Sequence, residues 1–180
     1  MPDERLPGGP TQDEILAVAI RKLGLTSVDT VLEIGCGTGT VTAAMAERAG
    51  KIFAIDRRPE AIDAAMEFAL NAGVKNISFS CAEAAEFLRG GRDFDCAFVG
   101  GSAGLRTFLP VLASRVKRTI VINAVLLSTV SDAVAILQEL GLFTEVVQVQ
   151  VARSHALAGS LMFKPIDPVW IIVGRGAACS

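Results

Sequence analysis

The sequence is poor in the residues that build metal centres. Among 180 residues there is one histidine, His155, and the four cysteines at Cys36, Cys81, Cys96 and Cys179 show no metal-ligand spacing. Because zinc sites are built from closely spaced Cys and His ligands, we expect no bound metal. The first three cysteines lie in or beside apolar segments, so we expect reduced, partly buried thiols in a cytoplasmic protein.

A surplus of positive charge is also missing. Lys and Arg number 17 against 19 Asp and Glu, which gives a net charge of −2. Proteins that bind nucleic acid need clustered cations, so we expect no DNA or RNA partner. No apolar run is long enough to cross a bilayer without interruption, and the first ten residues, M-P-D-E-R-L-P-G-G-P, are polar. We therefore expect neither a membrane span nor a signal peptide.

The length and composition indicate one domain over residues 1–180, with residues 1–10 as an irregular lead-in. Hydrophobic residues make up 51% of the chain and charged residues only 20%. Two explanations for this apolar surplus are equally good: the domain buries surface against copies of itself, or the composition is simply rich in alanine. No linker, internal repeat or low-complexity segment divides the chain.

The most informative pattern is V-L-E-I-G-C-G-T-G at residues 31–39. Val31, Leu32 and Ile34 predict a buried strand, three glycines predict a tight turn, and helical spacing follows. Glycine permits positive φ and lets a ligand lie against the backbone, while the next helix directs its free N–H groups toward that ligand. Glu33 lies inside the strand, so we expect it near the exposed end beside a donor or cation.

Strands and helices alternate along the chain, which predicts a doubly wound α/β fold with a mostly parallel seven-stranded sheet and an antiparallel C-terminal hairpin. A capping box from Thr11 to Glu14 predicts the start of the first helix, which Gly24 ends. The strands are expected at residues 31–34, 51–55, 76–80, 95–99, 118–123, 144–152 and 169–173. The other helices are expected after the glycine turn and at about 59–71, 84–88, 105–114 and 131–140, and residues 153–167 are expected to be irregular.

Ligands in an open parallel sheet bind across the carboxyl ends of the strands, so the residues there are candidates for binding. Asp56 ends the second strand, where a carboxylate can accept hydrogen bonds from both hydroxyls of a ribose. Glu83 and Ala84 follow the third strand and could meet an adenine ring. Glu83 has an alternative role as a cap of the short helix that follows it. Gly100, Gly101 and Ser102 follow the fourth strand.

The glycine spacing separates two nucleotide-binding folds. Dinucleotide-binding folds carry G-x-G-x-x-G, whereas Gly35, Gly37 and Gly39 form G-x-G-x-G with an acid two residues earlier. This arrangement resembles motif I of the class I S-adenosylmethionine (AdoMet) methyltransferases.

Four segments are similar to those of one branch, the CbiT-type family of cobalt-precorrin decarboxylating C15-methyltransferases of cobalamin biosynthesis. They are Gly8-Gly9-Pro10-Thr11, residues 32–42, Ala54-Ile55-Asp56-Arg57 with Pro59-Glu60-Ala61, and Val99-Gly100-Gly101-Ser102 with Gly104. Two departures, Asp167 in place of a usual Asn and Ser128 in place of a frequent Glu, fall in the half of the domain that would bind substrate.

The resemblance implies methylation of carbon 15 of a cobalt-precorrin and loss of carbon dioxide from the acetate side chain on carbon 12. It implies a Rossmann-like fold and, together with the apolar surplus, a homotetramer. It also implies a set of AdoMet-binding residues: Thr11, Gly35, Cys36, Gly37, Thr38, Gly39, Asp56 and Ala84, with Glu83 as a further candidate. It points to no catalytic group for the decarboxylation.

The implied substrate carries many carboxylates, so we expect a cationic cluster over the pocket, with candidates Arg57, Arg106, Arg153 and His155. Gly100, Gly101 and Ser102 are expected to contact the substrate.

Two alternatives remain open. One is a tRNA or protein methyltransferase of the same fold, although the loop at residues 99–102 has no aromatic residue on which a base could stack. The other is a non-catalytic AdoMet-binding subunit.

Overall fold

A computed structural model describes residues 11–177, which form a seven-stranded sheet with helices on both faces. The strands run in the order β3-β2-β1-β4-β5-β9-β6, and a separate ribbon pairs β7 with β8. The helices are α1 Asp13–Leu23, α2 Thr40–Ala46, α3 Pro59–Asn71, α4 Ala84–Leu88, α5 Leu105–Arg115 and α6 Leu127–Glu139. The strands are β1 Thr30–Ile34, β2 Lys51–Asp56, β3 Ile77–Cys81, β4 Phe94–Val99, β5 Val116–Ala124, β6 Phe143–Val149, β7 Ala152–Leu157, β8 Ser160–Pro165 and β9 Val169–Arg175.

The first five strands are parallel, and β9 runs antiparallel between β5 and β6. This arrangement confirms the predicted fold class. Strand order reverses at β1, whose neighbours β2 and β4 lead the chain to opposite edges of the sheet. Such a reversal opens a crevice beyond the carboxyl ends of the central strands, because the flanking loops depart in opposite directions.

Each face of the sheet carries its own core. On one side α1, α2 and α3 pack against the sheet, and on the other side α4, α5 and α6 do so. Strand β1 alternates between these cores, with Val31 in the first and Leu32 and Ile34 in the second. The two-residue period of a strand therefore turns Glu33 toward α2, inside the first core.

The expected capping box at the start of α1 is wrong. Gln12 is the N-cap residue, its carbonyl accepts the Leu16 N–H at 2.8 Å, and its side chain makes no capping hydrogen bond. The helix therefore begins two residues after Thr11, which is too late for the hydroxyl of Thr11 to cap it. Helix α6 begins about one turn earlier than expected, and β6 ends three residues earlier.

The expectation that residues 153–167 are irregular is also wrong. Strands β7 and β8 form an antiparallel hairpin with Leu157 paired to Ser160 across the two-residue loop Ala158-Gly159. Both loop residues have positive φ, 48° and 79°, as the tight type I′ turn requires. Every residue of the hairpin is exposed. It has no face buried within the chain, so its strands are not the continuous apolar runs that predict the core strands.

The three described cysteines differ in their exposure. Cys81 is exposed at the end of β3, whereas Cys36 and Cys96 are buried, and these three thiols are free. The predicted lead-in at residues 1–10 and Cys179 lie outside the described residues. None of the helices within residues 11–177 combines the length and apolar character needed to cross a bilayer.

Candidate cofactor and substrate site

A cavity of about 510 Å³ lies beyond the carboxyl ends of β1, β4 and β5. Its size falls within the usual range for small-molecule sites. Seven of the residues predicted to bind ligand line it: Thr11, Gly35, Cys36, Gly37, Thr38, Gly100 and Ser102. The lining does not include Gly39, Asp56, Glu83, Ala84, Gly101, Arg106, Arg153 or His155.

The strand tips around the cavity are joined by backbone hydrogen bonds. The N–H groups of Gly100 and Gly101 both donate to the Ile34 carbonyl, at 2.8 and 3.1 Å. Gly35 has φ 80°, and a Cβ built on it would stand 2.5 Å from the Gly101 nitrogen. Gly101 therefore acts through close packing against Gly35, and the contact leaves no room for a side chain at position 35.

The other two glycines of the turn serve different ends. Gly37 has φ 53°, and a Cβ there would meet nothing within 4 Å, so its backbone borders open space. Gly39 has φ 85°, and a Cβ there would stand 2.8 Å from the Ala65 Cα of α3. Gly37 thus provides the cradle surface, while Gly39 allows α2 and α3 to approach each other.

Asp56 lies just behind this turn and is 4% exposed. Its Oδ2 accepts the Gly37 N–H at 3.1 Å, and its Oδ1 accepts the Arg58 N–H at 3.1 Å. The Arg58 guanidinium adds two bonds, Nε to Oδ1 at 3.0 Å and Nη2 to Oδ2 at 3.0 Å. Burial favours a higher pKa for Asp56, but the hydrogen bonds from Arg58 and Gly37 outweigh it, and the pKa is lowered.

Arg58 is a cavity residue that sequence reasoning missed in favour of its neighbour Arg57. It is the one cation in the described lining, and its side chain is 29% exposed. Asn123, at the end of β5, was also missed as a site residue. It borders the cavity, and its side-chain oxygen is buried with no hydrogen-bond partner among the described residues. Its place at a strand tip is the feature that could have identified it.

The other predicted cations lie outside the cavity lining. Arg106 forms two hydrogen bonds with Asp132, and Arg153 donates to Glu14 at 2.8 Å. Both pairs are exposed, and His155 lies on the exposed hairpin. The structure therefore gathers no cluster of these side chains over the pocket, and their role stays a prediction.

The third strand tip lies next to the second, since Cys81 pairs in register with Asp56. Glu83 is exposed two residues further on, at the N-cap of α4, and makes no capping hydrogen bond. Ala84 is buried at 7% exposure. The alternative role of Glu83 as a side-chain cap of α4 is therefore not supported by any hydrogen bond.

Two buried groups of the cavity wall have raised pKa values. The Cys36 thiol is 5% exposed, and burial, reinforced by the charges of Glu33 and Asp56, raises its pKa strongly. Glu33 is 1% exposed and accepts a hydrogen bond of 2.5 Å from the Thr42 hydroxyl. Thr42 provides the hydrogen-bond donor that was expected for Glu33. The expected position near the exposed end of the strand is wrong, because the carboxyl is buried. Burial raises the pKa of Glu33 to about 7, although the Thr42 bond opposes the shift.

We predict that Glu33→Gln changes how stability depends on pH. The unfolded Glu33 has a pKa near 4.5 and the folded one near 7, so the native state holds the proton more tightly. Wild-type stability should therefore fall between about pH 4.5 and about pH 7, because the unfolded state loses its proton first. Across that window, the free energy of unfolding of the variant should rise relative to that of the wild type by up to about 3 kcal/mol. Urea unfolding at several pH values measures the difference.

The matched control is Glu47→Gln, the same change at an exposed carboxylate. The difference in free energy of unfolding between this variant and the wild type should stay constant over the same pH range. A flat difference for Glu33→Gln as well would contradict the raised pKa.

The part of the chain that the structure describes contains no group of three or more His, Cys, Asp or Glu side chains placed to hold a metal ion. The cavity instead has apolar side chains at its mouth. Val125 and Leu126, between β5 and α6, line it and are each 61% exposed. The site thus combines a glycine cradle, a buried acid, one guanidinium and an apolar lip, an arrangement suited to an organic ligand.

Comparisons with known proteins agree with one another. A family profile described as a precorrin methyltransferase domain matches residues 7–174. A probable cobalt-precorrin-6B C(15)-methyltransferase (decarboxylating) of Methanosarcina acetivorans is 43% identical over 176 residues, 95% of this chain and 96% of that protein.

Two crystal structures share the fold at a TM-score of 0.88. One is a precorrin 8W decarboxylase from Methanobacterium thermoautotrophicum, 32% identical over 92% of this chain and 91% of that one. The other is a precorrin-6y C5,15-methyltransferase from Geobacter metallireducens, 31% identical over 94% of this chain and 93% of that one. The resemblance found in the sequence is thereby confirmed, and the chain belongs to the precorrin methyltransferase family.

Proposed function

We propose that this protein is an AdoMet-dependent enzyme that methylates carbon 15 of cobalt-precorrin-6B and removes the carboxylate of the acetate side chain on carbon 12. Its relatives across nearly the whole chain bear names for that reaction. The observation that carries the proposal furthest is the Gly37 N–H bound to Asp56 at the strand reversal. That contact holds Asp56, the acid proposed to bind the ribose, directly behind a glycine turn with open space before it.

The cradle fits a nucleoside cofactor. The residues proposed to hold AdoMet are Thr11, Gly35, Cys36, Gly37, Thr38, Gly39, Asp56, Glu83 and Ala84. A side chain at Gly37 would extend into the open space beside the turn, and Asp56 lies directly behind that turn, where its Oδ2 accepts the Gly37 N–H at 3.1 Å. Glu83 and Ala84 lie at the neighbouring strand tip, where an adenine ring attached to that ribose would extend.

When bound, AdoMet supplies a methyl group already activated by its sulfonium. The chain's own task is to position the tetrapyrrole and to exclude water, and positioning alone can lower the barrier by several kcal/mol. The apolar lip of Val125 and Leu126 suits the flat face of a macrocycle, and Gly100 and Ser102 border the same space. Loss of carbon dioxide leaves an electron-rich carbon framework, so methyl transfer needs no strong base from the protein.

The direct test supplies purified protein with AdoMet labelled in the methyl group and with cobalt-precorrin-6B. The proposal expects one labelled methyl per tetrapyrrole together with released carbon dioxide. Methyl transfer to tRNA or to a protein, but not to the corrinoid, would favour the first alternative. Binding of S-adenosylhomocysteine (AdoHcy) without turnover of any substrate would favour a non-catalytic subunit.

We also propose that the protein is a homotetramer, assembled through the β7–β8 hairpin. Paired residues of an antiparallel ribbon share a face, and one face here carries no charge: Ala152, Ser154, Ala156, Leu161, Phe163 and Pro165. Leu161 is 72% exposed and Phe163 69% exposed. Because an isolated two-stranded hairpin is marginally stable in water, a second copy covering this uncharged face would stabilise the ribbon.

Phe163→Asp is expected to shift the oligomer toward monomer, because the carboxylate would have to be desolvated in the interface. Light scattering during size-exclusion chromatography measures the mass. Leu157→Asp is the matched control, since Leu157 is on the opposite face of the same hairpin and is 56% exposed. If the wild type is already monomeric, or if both variants dissociate equally, the uncharged face is not the interface.

The proposed location is the cytoplasm. The described cysteines, Cys36, Cys81 and Cys96, are free thiols, as is usual in a reducing compartment.

A further inference from the structure

The hydrogen-bonding capacity of Asp56 is fully used in this structure. An ionised carboxylate offers about four lone-pair positions. Two of them accept backbone N–H groups, from Gly37 and from Arg58, and two accept the Nε and Nη2 groups of the Arg58 guanidinium. A further donor can therefore bind Asp56 only by displacing one of these four.

The four donors differ in how easily they can leave. The N–H groups of Gly37 and Arg58 belong to the glycine turn and to the residue before Pro59, so they are fixed by the backbone. The Arg58 guanidinium ends a flexible side chain that is 29% exposed and lines the cavity. It contributes two donors, and a ribose carries two vicinal hydroxyls.

Building on the proposed function, we infer that the Arg58 guanidinium and the ribose diol of the cofactor exchange on Asp56, so that nucleoside binding releases Arg58 into the cavity to bind a carboxylate of the second substrate. The exchange replaces two donors with two donors and leaves both backbone bonds in place. Arg58 thereby links the two ligands, and each ligand strengthens the binding of the other.

The released guanidinium would carry a full charge in the site where the polycarboxylate arrives. The other cations predicted from the sequence, Arg106 and Arg153, are already paired with Asp132 and Glu14 outside the lining. Arg58 has no second acidic partner among its described ion pairs. A planar guanidinium matches a carboxylate through two parallel hydrogen bonds, so the same fork that binds Asp56 suits a substrate side chain.

The first experiment compares AdoHcy binding to the wild type and to Arg58→Met by calorimetry. Removal of the competitor should tighten AdoHcy binding about two- to fivefold, the equilibrium equivalent of a partly exposed ion pair. Arg58→Lys should give an intermediate affinity, because an ammonium cannot make the two parallel bonds, and it guards against a folding defect in the Met variant. Arg89→Met is the control, since it removes the same charge from an exposed position outside the cavity lining.

The second experiment measures how AdoHcy changes the affinity for coproporphyrin, a fluorescent tetrapyrrole with four carboxylates. In the wild type and in Arg89→Met, AdoHcy should strengthen porphyrin binding severalfold, and the effect must be reciprocal. In Arg58→Met the two ligands should bind independently.

The outcomes separate the inference from the function on which it rests. If the wild type does not bind AdoHcy, the cofactor assignment fails. If AdoHcy binds the wild type and Arg58→Met with equal affinity, or binds the variant more weakly, the exchange is refuted and the cofactor assignment stands. Coupling that persists in Arg58→Met would likewise refute the proposed link.

Discussion

Asp56→Asn is expected to weaken AdoHcy binding on the order of a hundredfold. The side chain would lose its charge and one of its two acceptor oxygens, and the new amide NH₂ would face a backbone N–H, that of Gly37 or that of Arg58. Charge-assisted hydrogen bonds contribute roughly 1.5–3 kcal/mol each, and a mismatched donor adds a desolvation cost. Isothermal titration with AdoHcy measures the loss directly.

Asp63→Asn on α3 is the matched control, because it makes the same substitution at an exposed position. It should bind AdoHcy like the wild type. Unchanged affinity in Asp56→Asn would mean that the ribose lies elsewhere, and the proposed cofactor site would then be wrong.

Gly35→Ala is expected to destabilise the fold by about 3–5 kcal/mol, the range of severe core substitutions. The new Cβ would stand 2.5 Å from the Gly101 nitrogen in a residue whose φ is 80°. Neither backbone can yield easily, since the Gly35 N–H donates to the Ile55 carbonyl at 2.8 Å and the Gly101 N–H donates to the Ile34 carbonyl at 3.1 Å. Thermal and urea unfolding measure the effect.

Gly37→Ala provides the comparison within the same turn. Its Cβ would enter open space, so only the positive φ is penalised, at about 1–2 kcal/mol. We expect this variant to fold and to bind AdoHcy less well, because the methyl group would occupy the cradle. If both variants lost the same stability, the close contact between Gly35 and Gly101 would add no cost to that of the positive φ, and the prediction for Gly35→Ala would be wrong.

The main sheet could be predicted from the sequence because its central strands are buried on both sides. Continuous apolar runs such as I-F-A-I at residues 52–55 must be covered by helices on each face, and that requirement nearly fixes a parallel, doubly wound topology. The hairpin could not be predicted in the same way, since every residue of β7 and β8 is exposed and neither strand is a continuous apolar run.

The sequence could predict which residues lie at the strand ends of the candidate site. It could not predict which side chains contact one another there. The position of Asp56 after a strand indicated its place behind the glycine turn. Adjacent arginines, however, look alike in a sequence, and the direction of the chain entering α3 makes Arg58 and not Arg57 fold back on Asp56. Glu33 was expected near solvent because a buried acid is costly. In the structure the Thr42 hydroxyl donates a hydrogen bond to the carboxyl group, and the raised pKa of Glu33 reduces the charge that has to be buried.

The buried thiol of Cys36 has a consequence for an enzyme that handles an alkylating agent. Only a thiolate is a strong nucleophile, and burial beside the acidic groups Glu33 and Asp56 holds this sulfur in its protonated form. If this loop binds AdoMet as proposed, an ionised sulfur in it would compete with the substrate for the activated methyl group, and its methylation would inactivate the enzyme. The apolar packing around Cys36 would therefore protect the protein from methylating its own side chain at the proposed cofactor site.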